Sequence, residues 1–314
     1  MKLIDFDQIK NLNIPPLSFY NWVDEIIRNK DKMILPVKTS IKFNKNSMFY
    51  NFMPAVIPSI NRAGIKIVTR YPNRSPSIES LILIFDLENG NPLALMDGTY
   101  ITAMRTGAVA AHSVKLFARQ DWQVLSIIGL GNTARAALEV ISCLYPEKSI
   151  DVHILRYKNQ HDLFIKCFEG NRNLHFTVCD TVEETISKSD VIISAVTFYP
   201  NDICNDSCFP EGCLLLPIHT RGFTNCDLFF DKVFADDKDH IKNFKNFDKF
   251  KSFAEVHDVI SGKKPGRENT KERILVYNIG IGLHDLYCAN KILNQIQTST
   301  EFDLEEPAEK FWVK

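Results

Sequence analysis

The chain has 314 residues, a length that fits two domains or one large one on the usual scale of roughly 100–200 residues per domain. Apolar residues make up 45% and charged residues 24%, an ordinary globular composition that excludes disorder as the main state. The 37 basic and 38 acidic side chains nearly cancel, so the overall charge predicts binding neither to nucleic acid nor to an anionic membrane.

The sequence shows no sign of a membrane or secreted protein. No stretch approaches the ~20 apolar residues that span a bilayer, and Asp5 and Asp7 interrupt the region where a signal peptide needs an apolar core. We therefore expect a cytoplasmic protein whose eight cysteines are reduced, buried thiols. Cys204, Cys208 and Cys213 lie close together, but their spacing is not that of a zinc site, and we expect no metal.

The first hundred residues predict a helix followed by a mainly antiparallel sheet. Apolar residues recur at helical spacing over 17–30, and short strand-like segments follow between 33 and 98. The clearest hairpin has two apolar runs that flank residues 88–92, where Asn89-Gly90 supplies the positive φ of a tight turn. Residues 30–98 are therefore expected to form a mainly antiparallel sheet.

The rest of the chain alternates strands with helices. A helix with a face of small residues is predicted over 102–119, and apolar strands and helices then follow one another from 123 to about 280. Such alternation is typical of a parallel, doubly wound sheet. The sequence thus predicts an α/β protein with a Rossmann-type domain over 121–284. A second, α+β domain is predicted over 1–120, with 285–314 expected to return to it.

A dinucleotide fingerprint lies between the first strand and helix of the predicted Rossmann domain. The segment GLGNTA, residues 129–134, fits the pattern G-x-G-x-x-G/A. The first glycine permits the tight turn, the second lets the backbone approach a pyrophosphate, and the alanine allows close packing of helix on strand. Backbone N–H groups at the helix start would face the phosphates. The expected contacts are Gly129, Gly131, Asn132, Thr133 and Ala134.

The end of the next strand distinguishes between the two nicotinamide cofactors. NAD sites usually carry an acidic residue there, but this strand ends in Arg156, Tyr157 and Lys158. Arg or Lys would pair with a 2′-phosphate, so NADP(H) is favoured and NAD(H) remains possible. The alternative is that these charges are solvated loop residues. Small residues expected to leave room for the nicotinamide ribose follow the fourth strand: Ala195, Val196 and Thr197.

Several segments occur in a characteristic order. They include KMILPVKTSI, AGIKIVTRYPNR, IFDLENGNPLALMDGTYITAMRTGAVAAHSVKLFAR, IIGLGNTARAALEV and SGKKPGRENTKERILVYNIGIGLHDL. In this order they resemble the ornithine cyclodeaminase/μ-crystallin family over about 30–290, most specifically in the block TAMRT at 102–106. The resemblance implies a cofactor domain inserted in the chain, a separate substrate and dimerisation domain, and a homodimer.

By that resemblance, fixed cations bind a substrate carboxylate. Lys66 and Arg105 match family positions that hold the carboxylate, and Lys38, at the end of a predicted strand, matches a position that is often Arg. Arg105 is expected at a helix start, where its bidentate fork and the helix amides act together. Thr106 and Gly280 are expected beside the cofactor. The apolar pocket wall is expected to include Met48, Tyr50, Met53 and Val56.

The sequence departs from the cyclodeaminase pattern at one position. In cyclodeaminases a strand ends in Gly-x-Asp-x-Pro-Gly, and that Asp is thought to activate the water that displaces ammonia. Here the matching stretch, LLLPIHTRGFTNCDL, places His219 at the Asp position, and no acid occurs from Leu214 to Asn225. A neutral histidine can act as a base but cannot copy a carboxylate's charge beside an iminium ion. The alternative for His219 is a hydrogen-bonded loop histidine.

The sequence therefore predicts a reductase of an α-imino acid that takes hydride from NADPH or NADH. Hydride would reach a C=N carbon next to a carboxylate, with Lys66 or His219 supplying the proton. Two alternatives remain. One is ornithine cyclodeaminase, which makes proline and ammonia with bound NAD. The other is a non-catalytic protein that stores NADPH or a small ligand, as μ-crystallin is reputed to do.

Overall fold

A computed structural model describes residues 1–45, 47–196, 199, 201–218, 222–303 and 307–313. These residues form two β-sheets with helices packed on them, one sheet mainly antiparallel and the other parallel and Rossmann-like. The predicted fold class is confirmed. The division into domains near 120 and 284 stays a prediction.

The first sheet carries the hairpins predicted for residues 30–98. Its strands are β1 (Lys2–Ile4), β2 (Thr39–Phe43), β3 (Met48–Ile57), β4 (Arg62–Arg70), β5 (Ile78–Asp86), β6 (Pro92–Asp97) and β15 (Thr300–Glu301). They lie in the order β15-β1-β6-β5-β4-β3-β2, antiparallel except where β1 pairs with β6. The predicted β5–β6 turn is confirmed, because Gly90 has a φ of 77° and the N–H of Asp86 donates to the Asn91 carbonyl at 2.9 Å.

The second sheet is parallel and has eight strands. They are β7 (Val124–Ile128), β8 (Ile150–Leu155), β9 (Leu174–Cys179), β10 (Val191–Ser194), β11 (Leu214–Pro217), β12 (Lys232–Ala235), β13 (Phe253–Glu255) and β14 (Ile274–Tyr277). Their order is β13-β12-β14-β11-β10-β7-β8-β9. The strand order reverses between β7 and β10. Ligands of doubly wound sheets bind at the carboxyl ends of the strands at such a switch point.

Ten α-helices lie within the described residues. They are α1 (Phe6–Lys10), α2 (Pro16–Arg28), α3 (Thr99–Phe117), α4 (Asn132–Leu144), α5 (Gln160–Lys166), α6 (Val182–Ile186), α7 (Cys226–Phe229), α8 (Lys238–Ile241), α9 (Val256–Ile260) and α10 (Gly282–Leu293). The small-residue face of α3 packs closely on α4, since a Cβ on Gly107 would lie 2.4 Å from the Ala136 carbonyl carbon. Helix α10, which the sequence analysis did not delimit, returns to the first sheet. A Cβ on its Gly282 would lie 2.7 Å from the Met53 carbonyl oxygen.

Within the described ranges, no helix has both the length and the apolar character needed to cross a bilayer. The cytoplasmic location stays a prediction. All eight cysteines are free thiols, but the expectation that they are buried is wrong for Cys167, which is exposed, and holds only partly for Cys143.

Candidate active site

Two of the predicted carboxylate-binding cations meet at a buried aspartate. Lys66 on β4 and Arg105 on α3 both contact Asp285 on α10. The Lys66 Nζ lies 2.7 Å from Asp285 Oδ1, and Arg105 Nε donates to the same oxygen at 2.7 Å. None of the three residues is more than 4% exposed. When Lys66 is protonated, the two cations outnumber the carboxylate, and the cluster attracts an anion.

Sequence reasoning missed Asp285. A signal was present, because Asp285 is the one acidic residue of the helix GLHDLYCANKIL, and a fully buried carboxylate needs a partner. The sequence did not show which partner that was. Its second oxygen, Oδ2, is buried, and over the described ranges no protein group hydrogen-bonds to it. This oxygen can therefore accept a hydrogen bond from a ligand.

The pKa of Lys66 suits proton transfer near neutral pH. Burial lowers it most, and the neighbouring Arg105 lowers it further, while Asp285 opposes both. The result is a pKa of about 7 instead of 10.5. Both the ammonium and the amine are therefore populated near neutrality, which is the condition for an efficient general acid.

Lys38 joins the same site from a different position than predicted. It precedes β2 instead of ending a strand, and its Nζ donates to the Ile279 carbonyl at 2.7 Å. Burial, followed by repulsion from Arg105, lowers the pKa of Lys38 to about 8, with Asp285 among the groups that raise it. The structure thus brings together all three predicted cations, Lys38, Lys66 and Arg105.

The expectation that Arg105 sits at a helix start is wrong. Helix α3 begins at Thr99, so Arg105 lies in its second turn, beyond the first turn in which the helix dipole acts most strongly. Its guanidinium instead packs on Gly280, where a Cβ would lie 3.1 Å from Nη1. Gly280 has a φ of 73°, and its N–H donates to the buried Asp236 at 3.1 Å. Gly280, predicted to lie beside the cofactor, therefore lies against Arg105.

Only one of four predicted pocket-wall residues shares a face with Lys66. Met53 on β3 pairs directly with Lys66 on β4, and paired residues point to the same side of a sheet. Met48, Tyr50 and Val56 alternate with Met53 along the strand and point to the other side. The structure corrects their placement and keeps Met53 in the site, at 5% exposure.

The glycine motif has the geometry that a dinucleotide requires. Gly129 has a φ of 88°, and a Cβ there would lie 2.9 Å from the backbones of Ala195 and Val196. Gly131 is the N-cap of α4 without a side-chain cap, and a Cβ added to it would meet open space. The uncapped amides of the first turn, which includes Asn132 and Thr133 ahead of the buried Ala134, can therefore bind phosphate.

Three further residues were predicted to contact the cofactor or substrate: Thr106, Thr197 and His219. The Thr106 hydroxyl donates to the Thr102 carbonyl at 2.6 Å, and the residue precedes the glycine of α3 that packs on α4. Thr197 and His219 lie outside the described residues, so their predicted roles remain predictions.

An acidic residue that sequence reasoning missed faces the end of the second Rossmann strand. Arg156 Nε donates to Asp180 Oδ1 at 2.5 Å, and Nη1 lies 3.1 Å from His161 Nε2. The pair is exposed to solvent, with Arg156 50% and Asp180 69% exposed. Lys158 has a φ of 50°, and its ammonium lies over the Tyr157 ring, 5.3 Å from the centroid.

Comparison with known proteins agrees with this geometry. The ornithine cyclodeaminase/mu-crystallin family profile matches residues 18–300. The chain belongs to this family. The resemblance inferred from the sequence is thereby confirmed.

Individual relatives are moderately similar over most of the chain. A Delta(1)-pyrroline-2-carboxylate reductase of Bacillus cereus is 26% identical over 279 residues, 82% of this chain and 85% of the relative. The ketimine reductase mu-crystallin of Mus musculus is 29% identical over 272 residues, 82% and 83% of the two chains. The Thermococcus litoralis Delta(1)-pyrroline-2-carboxylate reductase, solved with NADH and L-proline, superposes with a TM-score of 0.86 at 23% identity. The superposition covers 96% of this chain and 100% of that one. At that identity the likeness shows the fold.

Proposed function

We propose that the protein reduces α-imino acids with a nicotinamide dinucleotide. The observation that carries this proposal is the buried pairing of Lys66 and Arg105 with Asp285, next to which Lys38 is held by the Ile279 carbonyl. Fixed cations of this kind bind a substrate carboxylate. Two of the relatives are named for the reduction of pyrroline-2-carboxylate and of ketimines, which are C=N compounds.

Each residue of the site has a distinct task in this proposal. Arg105 and Lys38 bind the carboxylate, and Asp285 holds the Arg105 guanidinium and the Lys66 ammonium in place. Lys66 holds the proton that passes to the imine nitrogen, so that C=N becomes CH–NH. When bound on the glycine motif, the nicotinamide supplies the hydride to the C=N carbon. His219 stays the second candidate for the proton.

A turnover assay on the purified protein tests the proposal. NADPH or NADH is supplied with 1-pyrroline-2-carboxylate, and in parallel with pyruvate plus a panel of amines and amino acids. A matched tube holds NAD and ornithine. We expect cofactor oxidation with an imino acid and no ammonia from ornithine. Ammonia and proline without net cofactor change would identify a cyclodeaminase instead. Cofactor that binds but is never oxidised would favour the ligand-storage alternative.

We propose further that the enzyme prefers NADPH, on the basis of Arg156 and Lys158. Replacing both with alanine should raise the KM for NADPH roughly tenfold to a hundredfold, since hydrogen bonds between charged groups contribute about 1.5–3 kcal/mol. The KM for NADH should stay within about twofold, because NADH has a neutral 2′-hydroxyl instead of the phosphate and therefore makes no charge-assisted hydrogen bond that could be lost. Steady-state kinetics with each cofactor measures both values.

Asp180 supplies the matched test of this preference. Because Asp180 binds Arg156, Asp180→Asn should release the guanidinium and lower the KM for NADPH, with that for NADH unchanged. Equal losses for both cofactors in the double alanine variant, or no loss for either, would contradict the phosphate assignment.

We also propose that two copies associate through the uncovered face of the first sheet. Helix α10 packs on the face that bears Met53 and Lys66, as the contact between Leu286 and Gly64 shows. The opposite face is apolar yet partly exposed in one copy: Phe52, Pro54, Ile65, Ile67, Leu81, Leu83 and Leu95. A contiguous apolar face of this kind is typical of a protein interface.

Leu81 offers a direct test, since it is 49% exposed on this face. Leu81→Glu should convert a dimer into a monomer, because a carboxylate buried in an apolar interface loses its hydration. The matched control is Leu163→Glu on α5, where the leucine is 57% exposed away from the sheet. Light scattering during size-exclusion chromatography gives the mass. A monomeric wild type, or a dimeric Leu81→Glu variant, would refute this interface.

A further inference from the structure

A buried polar network connects the N-terminal segment to the strand ends of the parallel sheet. Lys30, only 9% exposed, places its Nζ 2.7 Å from Asp237 Oδ2 and 2.6 Å from Glu255 Oε2. The other Asp237 oxygen lies 2.7 Å from Nδ1 of His240, whose side chain is 1% exposed. Although burial raises the pKa of Asp237, the hydrogen bonds from His240 and Lys30 outweigh it, so the carboxylate is ionised.

The hydrogen bonds fix the tautomer of His240. The backbone N–H of Lys38 lies 3.2 Å from His240 Nε2, and a backbone N–H can only donate. Nε2 is therefore the acceptor, and the proton resides on Nδ1, which donates to Asp237. His240 is thus oriented by a carboxylate on one side and binds the Lys38 backbone on the other.

Lys38 is held a second time through its side chain. Its ammonium donates to the Ile279 carbonyl, and an ammonium has three donors, so two remain for a substrate carboxylate. Ile279 immediately precedes Gly280, on which the Arg105 guanidinium packs. The turn at 279–280 therefore contacts both cations that flank the proposed carboxylate.

A lysine at this position depends on its backbone more than an arginine would. Its ammonium is a point charge on a flexible stem, without the planar fork that orients arginine on a carboxylate. Residues 35–38 form neither helix nor strand, and Val37 is 46% exposed. No helix or strand therefore fixes the backbone of Lys38, and the direction of its ammonium depends on that backbone and on the bond to the Ile279 carbonyl.

We propose that His240 is a positioning residue for substrate binding. Its bond to the Lys38 N–H, oriented by Asp237 and Lys30, sets the backbone from which the Lys38 ammonium reaches the carboxylate. This inference rests on the proposed function for its substrate, while the bond between His240 and Lys38 is independent of any substrate. His240 thus influences how tightly the substrate binds, and not the hydride transfer, without itself touching the substrate.

Two substitutions separate the two hydrogen bonds of His240. The amide of asparagine can replace Nδ1 towards Asp237 but ends short of Lys38, whereas the longer glutamine can place its oxygen near the position of Nε2. His240→Asn should raise the KM for 1-pyrroline-2-carboxylate roughly three- to tenfold, the size of one hydrogen bond, with kcat and the KM for the cofactor nearly unchanged. His240→Gln should largely restore the KM. The exposed His175 on β9, changed to Asn, is the control.

Hydrogen–deuterium exchange gives a readout that does not require activity. The Lys38 amide should be protected in the wild type and in His240→Gln, and should exchange faster in His240→Asn. Equal protection in all three would overturn the proposal, as would a lower kcat with an unchanged KM in His240→Asn. If the wild type fails to reduce any imino acid, the proposed function fails, and exchange at Lys38 still decides whether His240 fixes this backbone.

Discussion

Replacing Lys66 with methionine should lower kcat by about 10²–10⁴-fold, the usual contribution of a positioned general acid. Methionine keeps most of the volume but carries no proton for the imine nitrogen. The fold should persist, because Asp285 keeps its hydrogen bond from Arg105. Steady-state kinetics with NADPH or NADH and 1-pyrroline-2-carboxylate measures kcat, and thermal unfolding checks the fold. A kcat within about tenfold of the wild type would show that another group, such as His219, supplies the proton.

The pH dependence gives an independent check on Lys66. Its pKa of about 7 in the free protein means that the acid form disappears as the pH rises through that value. The wild-type kcat/KM should therefore fall above about pH 7, whereas in Lys66→Met the fall should begin only near pH 8, where Lys38 loses its proton. A wild-type profile that stays flat up to about pH 9 would contradict the assignment.

The lowered pKa of Lys66 affects stability in the opposite direction to activity as the pH rises. The unfolded chain keeps Lys66 protonated up to 10.5, whereas the folded protein releases the proton near 7. Between these values the unfolded state binds more protons, so the free energy of unfolding contributed by Lys66 rises with pH. Comparing wild type with Lys66→Met should show this rise, while activity falls over the same range.

Local sequence patterns predicted where several site residues lie, while the role of Lys66 came from the family resemblance. Lys66 and Met53 could be placed on neighbouring strands because the runs that contain them have strand character, and Gly129 and Gly131 lie where a strand meets a helix. The start of α3 was misplaced by three residues, since Thr99 to Ile101 follow a strand end and a glycine without a clear cap. Because of that small error, the sequence analysis placed Arg105 at the helix start and expected the helix amides to assist it, whereas the structure places it in the second turn.

The groups that were missed act through distant partners. Asp285 lies 180 residues from Arg105 in sequence, and His240 lies 202 residues from Lys38. Neither pairing follows from periodicity or from a motif, because it depends on how two sheets pack together. Pairing of Arg156 with Asp180 is closer, at a separation of 24 residues, but it crosses from the end of β8 to the end of β9. Parallel neighbours of this kind can be inferred only once the strand order is known.

Asp285→Asn should destabilise the protein more than Lys66→Met. It leaves Arg105 and Lys66 buried without their carboxylate, and breaking a buried ion pair on one side costs about 3–5 kcal/mol. Arg105 cannot relieve the cost by losing its proton, whereas Lys66 can. The interaction with Asp285 raises the pKa of Lys66, so its loss should lower that pKa below about 7. Urea unfolding and the pH profile of kcat/KM measure the two effects.

A second buried aspartate separates loss of the ion pair from loss of any buried carboxylate. Asp227, 2% exposed, accepts hydrogen bonds from Tyr277 at 2.6 Å and from Asn246 at 3.3 Å, both neutral side chains. Asp227→Asn should therefore destabilise less than Asp285→Asn and should leave the pH profile unchanged. Equal effects at the two aspartates would show that burial alone, and not the two cations, makes Asp285 important.

The double variant Asp285→Asn with Lys66→Met tests whether stranded cations cause the loss of stability. At a pH low enough to keep Lys66 protonated, Asp285→Asn leaves a stranded Lys66 ammonium. Removing Lys66 should then recover part of the lost stability, so the double variant should unfold at higher urea than Asp285→Asn alone. Groups in one buried network commonly show such coupling, at about 0.5–3 kcal/mol. Strict additivity would mean that Lys66 is already neutral in the folded protein. In that case the proton of the imine nitrogen must come from elsewhere in the site.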